Sequence, residues 1–516
     1  MRKVKILWAD DEIDLLKPHI LFLNEKGYEV ETGISGDEAI DKLKSDFFDI
    51  VFLDENMPGL SGLETLDILK KIEPNIPVVM ITKSEEEHLM DEAIGSKIAD
   101  YLIKPVNPKQ ILLTIKKNLD LSRLVTEKVT STYQRDFREI GMTLSDRLDF
   151  EEWKDVYNKI VGHELKLSES SDRGMDEILA MQKSEANQSF GKFIENNYLN
   201  WLNGVEEAPV MSHTLMKKKV IPEIEEGTST FFILIDCLRF DQWKVIYNQI
   251  NKLFHVEEDL YCAILPTATQ YARNAIFSGL MPSEIQKKYA DKWSYDEDDG
   301  GKNNDEAFFM EECLRRHGKN VKTSYTKVVN LEGGKRLVEK TNDLFQNPFN
   351  VIVYNFVDAL SHARTDTKIV RELVEDEKAY RSVTASWFEH SPLWECMKKI
   401  AQKGGKVVLS TDHGSVRVHN ASKVVGDRNV NSNLRYKQGK ALQYKGKDVF
   451  AVEKPEEAFL PKQNISDTYI FAKNDNFFAY PNNYNHYVNY YQNTFQHGGI
   501  SLEEMMIPIV SLTPKS

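Results

Sequence analysis

The sequence predicts an α/β protein of several domains: an N-terminal doubly wound five-stranded parallel sheet, a helical linker bundle and a larger C-terminal α/β domain. Three observations carry this. The chain has 516 residues, more than one hydrophobic core ordinarily serves. Short apolar runs alternate with helix-spaced segments in two separate stretches, the pattern of parallel sheets covered by helices. Between them lies a stretch poor in Gly and Pro. The expected domains are 1–120, 121–205 and 206–516.

In the first domain the runs are VKILWAD (4–10), YEVETG (28–33), DIVFLD (49–54), PVVMIT (77–82) and DYLIK (100–104). Residues 121–205 carry helical spacing in YQRDFREIGMTLSDRL and GKFIENNYLNWL, with 11 Lys and Arg against 15 Asp and Glu, a net of −4. That sign is wrong for a DNA-reading bundle. In the third domain FFILIDC (231–237), FNVIVYNFVD (349–358) and KVVLSTDH (406–413) are near-continuous apolar runs ending in acid or His. Central parallel strands buried on both faces look this way. Two polar insertions interrupt the domain. One is acidic (294–306); the other spans roughly 417–495 and ends in FFAYPNNYNHYVNYYQNTF.

Composition bounds the function. Hydrophobic residues make up 41% and charged residues 28% of the chain, as in globular proteins. No run approaches the roughly 18–20 apolar residues that span a bilayer, so no membrane association is expected, and MRKVKILWADDE reads as a buried strand. Cys237, Cys262, Cys313 and Cys396 are widely scattered, which points to a reduced, cytoplasmic protein without a disulfide frame or cysteine zinc site. The net charge of −14 argues against direct duplex DNA binding. It leaves room for an anionic substrate, because bound cations invert a local field.

Polar residues stand at the carboxyl ends of the first five strands, where active sites of such sheets form. Asp10 and Asp11 follow the first. Asp54 ends the third and precedes Glu55-Asn56-Met57-Pro58-Gly59. Thr82 ends the fourth, and Lys104 ends the fifth before Pro105. Three carboxylates and the Asn56 carbonyl offer the oxygen ligands that Mg²⁺ prefers. Thr82 offers a hydroxyl and Lys104 an ammonium to a phosphoryl group on Asp54. Over about residues 3–120 this set resembles the response-regulator receiver family. The resemblance implies phosphorylation of Asp54 by a sensor histidine kinase, Mg²⁺ held by Asp10, Asp11, Asp54 and Asn56, and Tyr101 as the aromatic switch beside Thr82 and Lys104. Lys83 stands where the family usually has a small residue.

The C-terminal domain carries a second set. Asp236 ends one run; Asp358 and His362 lie four residues apart, one helical turn; Asp412 and His413 are adjacent; His497 comes late. Mixed carboxylate and imidazole ligands suit zinc, with Mn²⁺ an alternative. In LPTATQYARNAIFSGLMPSE, Thr269 precedes a helix-like stretch, where free N–H groups favour an anion. A metal would lower its hydroxyl pKa for attack on phosphorus. Thr267, two residues away, is either its structural partner or the nucleophile itself. Arg273, one turn on, either contacts the phosphoryl group or is a solvated helix residue.

Over about 225–516 this ordered set resembles the alkaline phosphatase superfamily, and within it the PglZ group. By that resemblance Asp236, Thr269, Asp412 and His413 bind one Zn²⁺ and Asp358, His362 and His497 the other. The eight Phe and Tyr of 477–495 either stack nucleobases or pack the insertion. Arg417, Lys423, Arg428, Arg435 and Lys437 either attract phosphates or form a solvated face.

The whole chain resembles the receiver–PglZ response regulators of type IX secretion. That implies dimerisation on phosphorylation, a zinc-dependent phosphodiesterase acting on nucleotide or oligonucleotide substrates, and a sigma factor as transcriptional partner. The alternatives are a signalling scaffold whose zinc domain mainly binds a partner, or a phosphomonoesterase.

Overall fold

All five apolar runs of the N-terminal region form strands of one parallel sheet: β1 (Lys5–Ala9), β2 (Glu29–Gly33), β3 (Ile50–Asp54), β4 (Val78–Thr82) and β5 (Asp100–Ile103), in the order β2-β1-β3-β4-β5. The computed structural model describes residues 4–74, 76–82, 98–144, 146–168, 173–294, 303–426 and 431–515, without the side chains of 116–117, 119–132, 134–135, 173–176, 362–366 and 368. Lys83, Arg428 and residues 295–302 of the acidic insertion lie outside the described residues. The chain divides into two units, Met1–Gln134 and Arg135–Ser516, and the division falls inside the helix Pro108–Thr143.

In the first unit, period-two alternation sorts β1, β3 and β4 between two cores. Leu7, Ala9, Val51, Leu53, Val78 and Met80 pack on one face, and Ile6, Trp8, Ile50, Phe52, Val79 and Ile81 on the other. The helix Gly62–Ile72 starts with a capping box between Ser61 and Glu64, worth about 1 kcal/mol. It descends from the loop that follows Asp54, so local helix signals fix where that loop ends.

The second unit is built on a six-stranded mixed sheet. Its strands are β6 (Thr230–Ile235), β7 (Phe254–Cys262), β8 (Thr323–Val328), β9 (Phe349–Tyr354), β10 (Lys406–Ser410) and a last strand, Met506–Pro514. β10, β6, β9 and β8 are parallel neighbours; the last strand runs antiparallel between β10 and β7. Every residue of β6 and β9 is buried. The last strand, β7 and the partly exposed edge strand β8 are not among the apolar runs of the sequence. β7 (FHVEEDLYC) alternates because it forms a half-exposed edge.

The long insertion forms its own small sheets: β11 (Val416–Arg417), β12 (Asn420–Lys423), β13 (Tyr436–Gly439), β14 (Val449–Val452), β15 (Thr468–Ala472), β16 (Asn476–Ala479) and β17 (Phe495–Gln496). The last strand of the six-stranded sheet is then β18. Phe477 and Phe478 are buried in the insertion's own clusters, Phe495 is buried against Tyr380 at 4.3 Å, and Tyr487 and Tyr490 stay exposed.

The helices Phe150–Ser168 and Arg173–Leu202 pack through Trp153 against Phe190, with ring centroids 5.3 Å apart. They share this unit with the sheet. Tyr157 packs on Phe240 at 5.5 Å, and the Tyr198 hydroxyl accepts the Leu265 N–H at 2.8 Å. Among the described residues no helix is long and apolar enough to cross a membrane.

Candidate functional site

The receiver-type residues converge as their strand ends require. Asp10 and Asp54 are buried at the carboxyl ends of β1 and β3. Lys104 reaches both, with Nζ 3.0 Å from Asp10 Oδ2 and 2.7 Å from Asp54 Oδ1. The Asn56 N–H donates to Asp54 Oδ2 at 3.2 Å. Asp10, Asp11 and Asp54 each offer an oxygen within 4.8 Å of the others, a donor set that fits a hard divalent cation.

Burial pushes the Asp54 carboxyl up from its ordinary range, against the pull of Lys104. Burial also opposes the charge on Lys104, but its bonds to Asp54 and Asp10 raise it overall. Thr82, at the end of β4, is buried, and Tyr101 on β5 is exposed. Gly62 is needed here: a Cβ would sit 2.4 Å from the Asp54 carbonyl oxygen.

The second site lies at the carboxyl ends of β6, β9 and β10. Asp236 follows β6, Asp412 and His413 follow β10, and Thr269 opens the helix Thr269–Ser278, which Gly279 ends in a left-handed conformation at φ 59°. Thr269 Oγ1 lies 3.1 Å from His413 Nε2 and 3.4 Å from Asp236 Oδ1. Asp236, Asp412 and His413 form a compact, fully buried group of ligand atoms. Gly414 lets this loop pass: a Cβ there would meet the Glu503 carbonyl oxygen at 1.9 Å.

Asp358 and His362 both lie on the helix Phe356–Asp366; the His362 side chain is outside the described ones. His497 Nε2 is 3.9 Å from Asp358 Oδ1. The His497 ring stacks on His413 with centroids 4.3 Å apart. Residues more than 130 positions apart in sequence thus meet at one place.

The donor set fits metal ions. With a proton on Nδ1, His413 donates to the Gly414 carbonyl at 3.0 Å and His497 to the Thr267 carbonyl at 3.1 Å. Each Nε2 lone pair is left toward the carboxylates. Asp412 Oδ2 is buried without a hydrogen-bond partner among the described residues. Burial, joined by the charges of Asp412 and Asp358, drives Asp236 up to about 8 although Arg273 opposes it. Asp412 is raised for the same reason. Such crowded carboxylates call for a cation.

Thr267 spends its hydroxyl on structure, donating to the Gly499 carbonyl and accepting the Gly498 N–H, both at 2.9 Å. Arg273 is 2% exposed, which removes the solvated-helix alternative. Its Nη1 lies 2.8 Å from Asp236 Oδ2 and its Nε 2.7 Å from Glu306 Oε1.

Arg435 and Lys437 are also buried, so they form no solvated face. Arg435 pairs with Glu504 at 2.6 Å. Lys437 lies over the Tyr480 ring at 4.7 Å. Sequence reasoning missed Glu306, Glu503 and Glu504, whose Arg273, Lys183 and Arg435 partners lie far along the chain. A local signal existed for Glu504 in its spacing of three from the helix cap Ser501.

Comparison with known proteins follows the same partition. Residues 6–116 match the family model of the response regulator receiver domain, 123–202 that of the PorX response regulator linker domain, and 215–512 that of the BREX system PglZ alkaline phosphatase-like domain. The chain is 34% identical over 139 residues to the transcriptional regulatory protein ZraR of Klebsiella oxytoca, covering 27% of this chain and 31% of that protein. It is 33% identical over 143 residues to a CpxR homolog of Haemophilus influenzae, covering 27% of this chain and 61% of the relative. The chain therefore spans less than two thirds of these curated relatives. Among solved structures, a CheY-like receiver domain protein from Methanospirillum hungatei is 30% identical with a TM-score of 0.22, covering 23% of this chain and 95% of that one.

Proposed function

We propose, for a chain that belongs to the PglZ alkaline phosphatase-like family and carries a response-regulator receiver domain, that it is a phosphorylation-controlled, zinc-dependent phosphodiesterase acting on nucleotide or oligonucleotide substrates. The observation that carries the reading is the Thr269 hydroxyl, held 3.1 Å from His413 Nε2 and 3.4 Å from Asp236 Oδ1 at a helix start. In-line attack of Oγ1 on phosphorus would displace the leaving alkoxide and form a phosphothreonyl diester. Water would then release the nucleotide and restore the hydroxyl.

The amides of Thr269 and Gln270, which open the helix Thr269–Ser278 ahead of its first backbone hydrogen bonds, would favour the developing negative charge. Thr267 is the structural partner, since both functions of its hydroxyl are used in holding Gly498 and Gly499. Asp236, Thr269, Asp412 and His413 would hold one zinc ion, and Asp358, His362 and His497 the second. When bound, the pair would lower the hydroxyl pKa and neutralise charge on the phosphoryl oxygens.

Nucleotides are favoured over simple esters by rings that stand next to cations. Lys423 lies 4.6 Å from the Tyr484 ring and Arg371 5.7 Å from that of Tyr490, a pairing suited to base and phosphate together.

At the receiver, Asp54 would take a phosphoryl group from a sensor histidine kinase with Mg²⁺ held by Asp10, Asp11, Asp54 and the Asn56 carbonyl. Thr82 and Tyr101 would report the change, and a receiver-mediated dimer would carry it onward. A role in type IX secretion and a sigma-factor partner belong to the same reading and rest only on the whole-chain resemblance drawn from the sequence.

The test is a panel of phosphomonoesters, linear and cyclic dinucleotides and sulfate esters, run with metal analysis. Purified protein is expected to carry two zinc ions and to prefer the dinucleotides. Thr269→Val should lower turnover at least ~10³-fold, a loss of about 4 kcal/mol of transition-state stabilisation. Thr267→Val should keep the chemistry with weakened stability. Undiminished turnover in Thr269→Val rejects the nucleophile.

A further inference from the structure

We infer that Arg273, held by Glu306, is a positioning residue that fixes Asp236 so that only Oδ1 faces Thr269 and His413; this rests on the hydrolase reading above. Arg273 extends its donors toward three carboxylates. Nη1 lies 2.8 Å from Asp236 Oδ2, and Nε lies 2.7 Å from Glu306 Oε1 and 3.8 Å from Asp412 Oδ2. The planar guanidinium serves separate oxygens in fixed directions, which a lysine ammonium cannot reproduce. The Nε and Nη1 donors could turn to a phosphoryl oxygen only by abandoning Glu306 and Asp236, leaving those buried carboxylates uncompensated.

Glu306 is buried and anchored apart from the site. The Tyr325 hydroxyl donates to it, and Lys327 Nζ lies 3.7 Å away. Asn303, three residues earlier, donates from Nδ2 to the Thr269 carbonyl at 3.4 Å and to Asn274 Oδ1 at 3.0 Å. Lys327 Nζ in turn donates to the Asn303 carbonyl at 3.1 Å.

The segment returning from the acidic insertion therefore grips the helix Thr269–Ser278 at three residues, Thr269, Arg273 and Asn274. Two of these grips bear on groups of the reaction: the nucleophile's own residue and, through Arg273, the carboxylate beside its hydroxyl. Asp236 bonded through Oδ2 to a fixed cation cannot swing to present both oxygens to a metal. Glu306, outside the ligand set, decides that orientation.

Arg273→Lys, Arg273→Ala and Glu306→Gln, made in the full chain, test this by zinc affinity from chelator competition and by kcat and KM on a dinucleotide diester. Each is expected to lose ~10- to 100-fold in zinc affinity or kcat, with KM within about twofold of wild type. Added guanidinium should restore part of the lost function of Arg273→Ala. A KM raised about tenfold or more with zinc affinity and kcat unchanged would make Arg273 a substrate contact and overturn the inference. Wild-type values in Glu306→Gln would overturn it as well, and that variant removes a charge without creating a cavity. Wild type measured alongside separates the two readings: no zinc and no turnover there rejects the hydrolase itself.

Discussion

Glu504→Gln is expected to destabilise the second unit by about 3–5 kcal/mol, the cost of breaking a buried ion pair by removing one partner. The Glu504 carboxylate is fully buried. Its Oε1 accepts the Gly499 N–H at 2.9 Å and Arg435 Nε–H at 3.1 Å. Its Oε2 accepts Arg435 Nη2–H at 2.6 Å and the Ser501 hydroxyl at 2.7 Å. Glutamine keeps one acceptor oxygen and turns an NH2 group toward donors.

With the NH2 on the Ser501 side the hydroxyl can rotate to accept it, and the Nη2 donor alone loses its carboxylate. In the opposite orientation two donors are orphaned. Each orphaned buried donor costs about 1–3 kcal/mol, and the buried guanidinium then lacks a counter-charge, which brings the sum into the range above. The Gly499 amide lies two residues from His497, so any metal affinity of the site should fall as well.

Urea unfolding followed by circular dichroism measures the loss. A loss below about 1 kcal/mol in Glu504→Gln would refute the ion-pair argument.

Lys437 gives a pH signature. Burial lowers its ammonium pKa to about 7, below its value in the unfolded chain. The unfolded chain therefore binds more protons from about pH 7 to pH 10, and stability rises with pH across that window. Lys437→Met should flatten the rise, read as the difference between melting temperatures at its two ends; an unchanged slope rejects the assignment. At the receiver, Asp54→Asn should take up no phosphoryl group from a small-molecule donor in Mg²⁺, while wild type gains one by intact-mass measurement. Equal uptake by both would move the phosphorylated position elsewhere.

Much of the site was legible because its chemistry is local. A strand's carboxyl end is marked by an apolar run followed by an acid, and Asp54, Asp236 and Asp412 all carry that mark. The Asp358–His362 spacing is one helical turn, and both residues lie on a helix. The Thr269 helix was marked by its Gly279 stop. The edge strand β7 and its neighbour β18 escaped because one is half exposed and neither ends in a ligand.

By itself the sequence determined the two α/β patterns, the helical stretch between them and the order of the candidate ligand residues, since period-two burial and turn chemistry act over a few residues. Only the tertiary structure decided which threonine turns its hydroxyl to Asp236 and His413. Thr267 is consumed by glycines some 230 positions away. It also decided that Arg273, Arg435 and Lys437 are internal, because burial of a charge depends on partners that the chain brings together only after it has folded.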